Sequence, residues 1–228
     1  MSEMKRLSDR NRAIQEMLTS GEGLKTFYRF VANNPHIALH DACQIVIERP
    51  SASICFSFEE WNAQGRRVTK GRKGIPYYDN DGSKHFVFDV SDTHGDNRYR
   101  RSINPVKKIL DGLDLVNGTE IAGSNRGDYR IMLSGVVNYL GQNEFFTEDE
   151  DRNRLIAEGA TYLLYSTTGF PKDRGITLKG YPYGLSENAD LFREILKTTE
   201  VLQQDINDAV ANKQSEVPVI DDTEEETV

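Results

Sequence analysis

The chain has 228 residues and a formal net charge of −8, and 37% of its residues are hydrophobic, including 10 Phe and 10 Tyr. These numbers exclude a disordered chain. No apolar run approaches the roughly 20 residues of a membrane-spanning helix. The charged N-terminus lacks the apolar stretch of a signal peptide, and two cysteines do not make a disulfide scaffold. We therefore expect a cytoplasmic protein with no membrane partner.

Hydrophobic periodicity predicts an α+β fold in which helices dominate. Helices are predicted over residues 8–18, 23–33, 36–48, 105–113, 129–140, 148–165 and 187–212. Ser8 is the expected N-cap of the first helix, because its hydroxyl can accept from the first turn. The second and third helices are expected to end before Pro35 and Pro50, since proline moves the preceding residue out of the helical region.

A small β-hairpin is predicted after the third helix. A short strand at residues 53–58 and one helical turn at 59–64 lead into two β-rich runs, KGIPYY and KHFVFDV. The turn between these runs, Asp79 to Gly82, has the composition typical of hairpins. Alternation along the second run predicts that one face of the hairpin is buried. Three segments are expected: 1–101, a mostly helical region 102–214 packed on it, and a disordered acidic tail at 215–228.

The charge is distributed unevenly along the chain. Residues 1–101 have a net charge of +3, residues 102–215 of −5 and residues 216–228 of −6. A partner senses charge within about one Debye length, roughly 8–10 Å at physiological salt. The N-terminal part can therefore meet a polyanion although the whole chain is acidic.

The stretch WNAQGRRVTKGRKGIPYY contains five cations and no acid, and the five cations all lie between residues 66 and 73. Cations in a glycine-rich loop are suited to phosphate contacts, and neighbouring aromatic rings are suited to stacking on bases or to shaping the groove. The predicted nucleic-acid-binding residues are Trp61, Arg66, Arg67, Lys70, Gly71, Arg72, Lys73, Gly74, Tyr77 and Tyr78. The two glycines would let the loop approach the bound strand. The alternative is a solvated loop with Trp61 and one tyrosine in the core, and the residues alone do not decide between the two.

His36, His40 and Cys43, with Cys55 downstream, are candidate metal ligands, because the first three lie on one face of a helix. The segment HIALH lacks the glutamate of a metalloprotease helix, and no C-x-x-C pair is present. Cys43 is more simply a small buried residue. We therefore predict no metal and no cofactor.

Catalytic motifs are missing from the sequence. No phosphate-binding loop, dinucleotide fingerprint or nucleophile elbow is found. Asp89, Asp92 and Asp96 near His94 could imitate the metal site of a nuclease, but their spacing does not distinguish them from a polar connection. The acidic run at residues 148–151 suits the first turn of a helix. We predict a protein that is not an enzyme.

The block from residue 24 to residue 90 resembles the N-terminal domain of the ArdC family of antirestriction proteins. The resemblance is carried by Arg49-Pro50, by Trp61, by the string GRRVTKGRKGI at residues 65–75 and by the hairpin after it. It implies sequence-tolerant binding of single-stranded DNA by a protein of a mobile genetic element, one that protects incoming DNA from host defence. The H-E-x-x-H metallopeptidase domain of full-length members has no counterpart here, so protease activity is not implied.

Two other functions remain open on the sequence. An inhibitor of a host defence protein would act through the acidic second half and tail. A metal-dependent nuclease would need a cluster of carboxylates that the sequence does not display. The segment from residue 155 to residue 195 resembles the region next to the same domain in large conjugative-element proteins, and no function can be assigned from that likeness.

Overall fold

Helices and short strands make up the residues that the computed structural model describes, which are 3–79, 81–95, 105–120, 129–168 and 175–215. The helices are α1 (Glu3–Leu18), α2 (Gly21–Asn33), α3 (Leu39–Glu48), α4 (Phe58–Ala63), α5 (Val106–Asn117), α6 (Tyr129–Gln142), α7 (Glu150–Thr167) and α8 (Leu185–Ser215). The strands are β1 (Cys55–Phe56), β2 (Arg67–Val68), β3 (Ile75–Tyr78), β4 (Lys84–Asp89) and β5 (Thr93–His94). The fold is α+β and dominated by helices, as the sequence predicts.

The predicted helices are all present, and two of them begin three or more residues from the predicted start. Helix α1 starts before Ser8, which lies inside it, so the predicted N-cap is wrong. Helix α3 starts at Leu39 instead of residue 36, because Ile37 N–H donates to Asn34 O in a turn after Pro35. The cap of α2 is Ser20, whose hydroxyl accepts from Gly23 N–H at 3.3 Å.

Asn34, at the end of α2, connects that helix to the sheet. Its buried amide donates to Phe30 O and Ser53 O, both at 2.8 Å, and its Oδ1 accepts from Cys55 N–H at 2.8 Å. A buried amide with all these partners is stabilising and holds the backbone in one position. The path of the chain into β1 is thereby tied to the end of α2.

The predicted hairpin is confirmed as strands β3 and β4, which pair antiparallel from Ile75 with Val87 to Tyr78 with Lys84. Strand β1 pairs with the other edge of β4, so the sheet order is β1-β4-β3. Val87 and Asp89 are buried, which confirms the prediction that one face is covered. Strands β2 and β5 form a separate two-stranded sheet, and a single 3-10 turn at Val90–Asp92 joins it to β4.

The helical core continues across the predicted segment boundary at residue 101, which itself lies outside the described residues. Phe27 and Tyr28 of α2 contact Phe192 of α8, with ring centroids 4.7 Å and 5.3 Å apart. Gly159 of α7 lies so close to α2 that a Cβ there would stand 2.4 Å from the Tyr28 hydroxyl. The two parts of the chain therefore share one apolar interior.

The C-terminal end of the described chain is helical up to Ser215, the last residue of α8. The predicted disordered tail lies outside the described residues apart from that serine. None of the described helices is both long enough and apolar enough to cross a bilayer.

Candidate nucleic-acid interface

The basic loop, residues 65–74, leaves the end of α4, forms β2 and continues to the start of β3. Its first half is held by β5, where Arg67 pairs with His94 and Val68 with Thr93. Thr69 N–H then donates to Asp92 O at 2.9 Å, and Arg72 N–H closes a turn on Thr69 O at 3.1 Å. The backbone of the loop is therefore fixed by hydrogen bonds along most of its length.

Asp92 anchors the second half of the loop. Its carboxylate is buried and accepts a hydrogen bond from Arg49 at the end of α3, while Arg72 Nε lies 3.9 Å from its other oxygen. Arg49 also donates to Lys73 O at 3.1 Å. A charge-assisted network of this kind is stronger than neutral hydrogen bonds. The end of α3, the loop and the 3-10 turn form one connected unit.

The five predicted cations have three different environments. Arg66 is half-buried and turns inward, donating to Thr93 Oγ1 at 2.8 Å and to Thr93 O at 3.2 Å. Arg72 is more than half exposed but is positioned beside Asp92. Arg67, Lys70 and Lys73 are exposed, and in the part of the chain that the structure describes no carboxylate pairs with their side chains. These three cations are the ones available to a polyanion.

The predicted stacking role of Trp61 is wrong. The Trp61 side chain is completely buried, its indole N–H donates to Phe88 O at 2.8 Å, and Phe56 packs edge-on against it at 5.0 Å. A ring with no exposed face cannot receive a base. The structure shows the alternative from the sequence, in which this residue belongs to the core. Trp61 shapes the site because the loop that follows α4 rests on it, with Arg66 N–H donating to Trp61 O.

Tyr77 and Tyr78 are half-buried, and each already has a partner on its ring. Tyr77 stacks on His85 at 5.4 Å, and burial raises the pKa of its hydroxyl. The guanidinium of Arg10 from α1 lies 4.7 Å from the centre of the Tyr78 ring. Gln44 of α3 accepts from Tyr78 N–H at 3.1 Å and donates to Tyr78 O at 2.7 Å. Tyr78 is therefore integrated into the contact between the hairpin and α3, and Tyr77 packs within the hairpin.

Phe86, which the sequence reasoning missed, is an exposed aromatic ring beside the basic loop. Its side chain is 46% exposed, and it pairs with Pro76 across the hairpin. Lys84 Nζ lies 4.9 Å from the centre of the ring. Alternation in KHFVF shows that Phe86 and Val87 face opposite ways, but it does not say which of them is covered. In the folded chain Val87 is part of the apolar core and Phe86 is exposed.

Phe86 forms one wall of a shallow groove of about 520 Å³. The groove is lined by Glu48, Arg49, Lys73, Gly74, Ile75, Pro76 and Phe86. Its volume falls within the range of roughly 300–1,000 Å³ that is usual for small-ligand sites. It brings together a cation of the loop, an exposed ring and the end of α3.

The two predicted glycines have local structural reasons. Gly71 has φ of +87°, a conformation that L side chains rarely adopt, and there is open space around it. A Cβ on Gly74 would stand 3.0 Å from Phe86 Cβ and 3.2 Å from Phe88 Cζ. Gly71 therefore permits the turn, and Gly74 permits the close packing of the loop on β4.

The candidate metal ligands do not converge: Cys43 and Cys55 are buried, whereas His36 and His40 are exposed, and His40 hydrogen-bonds to Asp41 and Gln44. Burial raises the pKa of Cys43 to about 12 and that of Cys55 further. His36 stacks on Phe56 at 4.4 Å and hydrogen-bonds to Cys55 O. Within the described ranges, no group of three or more His, Cys, Asp or Glu residues is arranged to hold a metal ion.

The carboxylates considered for a nuclease are also structural where they are described. Asp89 Oδ2 accepts from Ser53 N–H at 2.6 Å and from Ile54 N–H at 3.3 Å, and Oδ1 accepts from Ser91 N–H at 2.9 Å. Burial alone would raise the pKa of Asp89, but these hydrogen bonds outweigh it and lower the pKa. Asp96 lies outside the described residues.

Comparison with known proteins adds no relative: no protein-family model matches the chain, and no curated protein or solved structure matches it either. The function therefore has to be argued from the geometry of the basic loop and its groove.

Proposed function

We propose that the chain is a non-enzymatic protein that binds single-stranded DNA through the basic loop and the groove beside it. Arg67, Lys70 and Lys73 contact phosphates, and Phe86 offers a face on which a base stacks. Binding is largely tolerant of sequence, because phosphates and aromatic stacking do not distinguish strongly between bases.

The observation that carries this proposal is that three exposed, unneutralised cations lie on a hydrogen-bonded loop beside the exposed ring of Phe86. Cations whose charge is already balanced by a nearby carboxylate would gain little from a phosphate. Arg67, Lys70 and Lys73 have no such partner among the described residues. Because the backbone is fixed, little conformational entropy is lost when a strand binds.

Single strands are favoured over duplexes by the shape of the site. The groove is shallow and has an aromatic wall, so an unpaired base can enter it and stack on Phe86. The bases of a duplex are already stacked and paired, and they present only their edges. Each stacked base contributes about 1–3 kcal/mol to single-strand binding.

The biological role we propose is protection of incoming DNA of a mobile genetic element from host defence. This role is supported by the resemblance of residues 24–90 to the ArdC N-terminal domain. The basic string that carries the resemblance forms the basic loop of this chain. The rival role, inhibition of a host defence protein through acidic surfaces, predicts no affinity for oligonucleotides.

The test is a fluorescence-anisotropy titration of the full chain with an oligonucleotide of about 15 nucleotides, single- or double-stranded, at about 50 mM and about 200 mM salt. We expect tighter binding to the single strand and weaker binding at the higher salt. For single strands, log K falls against log salt with a slope of about −0.7 per neutralised phosphate. No binding at the lower salt would overturn the proposal and favour the protein-inhibitor role.

The variant Lys70→Ala/Lys73→Ala locates the site. It removes two exposed charges and leaves the Arg49 contact with Lys73 O intact, since that contact uses the backbone. We expect weaker binding and a salt slope that is smaller by about 1.4, which is two phosphates. The control is Lys197→Ala/Lys213→Ala, two exposed lysines of α8. Equal binding by the two double variants would show that the loop is not the interface.

A further inference from the structure

Glu48 is the acidic residue in the groove that the basic loop and the hairpin enclose. It is exposed, it is the last residue of α3, and it lines the groove together with Lys73 and Phe86. A carboxylate at the C-terminal end of a helix is disfavoured by the helix dipole. It also repels the phosphates that the loop is suited to bind.

No neighbouring cation neutralises Glu48 in the described part of the chain. Arg49, the next residue, donates to the Asp92 carboxylate and to Lys73 O. No ion pair joins Lys73, on the other side of the groove, to any of the described carboxylates. The groove thus has an unpaired acceptor, an unpaired cation and an aromatic wall within one small volume.

We infer that Glu48 selects the base at one position of the bound strand, favouring guanine and disfavouring thymine. This inference rests on the proposed binding of single-stranded DNA. With the base stacked on Phe86, the carboxylate of Glu48 accepts hydrogen bonds from groups on the base edge, and Lys73 contacts the adjacent phosphate or a carbonyl oxygen of the base.

The choice of base depends on donor chemistry. Guanine presents N1–H and an exocyclic N2–H₂ side by side, so one carboxylate accepts two hydrogen bonds from it. Adenine and cytosine each present a single exocyclic amino group. Thymine presents one N–H flanked by two carbonyl oxygens, which repel a carboxylate. The expected order is guanine first, adenine and cytosine next, and thymine last.

The selection concerns one nucleotide within an otherwise tolerant interface. Arg67 and Lys70 lie on the loop away from the groove lining and contact only phosphates. The protein therefore binds mixed sequences well, and discrimination appears only when a single strand offers one base type to the groove.

The experiment compares three oligonucleotides of about 15 nucleotides: all-thymine, the same strand with one central guanine, and the same strand with one central adenine. The adenine strand controls for the better stacking of any purine. We expect the guanine strand to bind about five-fold or more tighter than the all-thymine strand, the lower end of what a bidentate base contact supplies. The adenine strand is expected to lie between them.

The variant Glu48→Gln keeps the size of the side chain and removes its charge. It should tighten binding of the all-thymine strand and bring all three affinities close together. Glu59→Gln removes another exposed charge, from α4 and outside the groove lining, and should preserve the discrimination.

Each failure has a different meaning. If the three strands bind equally to the unaltered chain, the base selection is overturned while DNA binding stands. If Glu48→Gln strengthens all three strands by the same factor, the residue only repels phosphates and the inference is again overturned. If no strand binds at low salt, the proposed function fails and the base selection fails with it.

Discussion

Charged side chains in the helical region and in the basic loop have opposite surroundings. On the helices, several cations pair with carboxylates three or four residues away, as in Arg12 with Asp9, Lys107 with Asp111, Arg154 with Asp151 and Arg193 with Asp190. In the basic loop, Arg67, Lys70 and Lys73 have no carboxylate partner among the described residues.

The difference comes from local geometry and composition. A helix places residues three and four apart on one side, so a nearby acid neutralises a cation within the same turn. The loop has no such periodicity, and no acid occurs between Trp61 and Tyr78. The acid that does reach the loop, Asp92, comes from a distant turn and is occupied by Arg49 and Arg72. Net charge therefore says little about which cations a partner can meet.

The largest expected effect comes from removing the support beneath the loop. Trp61→Ala deletes a completely buried ring and the hydrogen bond to Phe88 O. We expect the free energy of unfolding to fall by about 3–5 kcal/mol, measured by urea denaturation. Phe58→Ala, which truncates a neighbouring ring that is 49% exposed, should change it far less. Similar losses in both variants would contradict the core position of Trp61.

The second-largest effect is expected at Asp92, the acid that anchors the loop, in contrast to the acids of the helix surface. Asp92→Ala leaves Arg49 and Arg72 without their carboxylate, and we expect a loss of about 2 kcal/mol in unfolding free energy. The matched control is Asp111→Ala, which breaks the exposed pair with Lys107. The loss of stability in the two variants is measured by thermal unfolding. An equally small change in the two would show that Asp92 does not anchor the loop.

A third prediction uses pH. The hydrogen bonds of Asp89 lower its pKa in the folded chain below its ordinary value of about 3.9. The stabilisation is therefore fully present above that value and is lost as the pH falls through the lower, folded pKa. Asp89→Asn should be less stable than the unaltered chain by about 1–2 kcal/mol at neutral pH.

The same difference should shrink as the pH is lowered from neutral through the folded pKa of Asp89, because the protonated aspartate and asparagine then resemble each other. Urea midpoints at neutral pH and at a pH below that pKa check this. A difference that is independent of pH would mean that the charge of Asp89 contributes nothing.

The smallest effect is expected on the helix surface. Arg193→Ala breaks an exposed pair with Asp190, and such pairs contribute about 0.2–0.5 kcal/mol. We expect a change of that size in thermal unfolding and no change in oligonucleotide binding. A clear loss of binding would place part of the interface on α8 and remove the contrast between the two regions.

Much of the fold could be predicted from the sequence because its signals are local. Helical periodicity identified the positions of the helices, and the Asp79–Gly82 turn identified the hairpin. The start of α3 was misplaced because the turn after Pro35 depends on Asn34, whose side chain also bonds to Ser53 and Cys55. Such bonds between distant segments leave no trace in periodicity.

The candidate site was predicted only in part. The cations of the loop were found because they are adjacent in the sequence. Phe86, Arg49 and Glu48 were missed because the folding of the chain, and not their spacing, brings them to the loop. Trp61 was assigned a surface role because an aromatic ring beside a basic run looks the same in sequence whether it is buried or exposed.

The sequence by itself determined that the chain is an α+β protein dominated by helices and that an acid-free basic loop leads into a hairpin. Only the tertiary structure decided which side chains face outward. Strand alternation separates Phe86 from Val87, but only the folded chain shows that Val87 is the covered one. Likewise, Arg66 and Arg67 are neighbours of the same charge, and Thr93 holds the first while the second remains exposed. Burial and pairing are contacts between distant residues, and a linear pattern does not contain them.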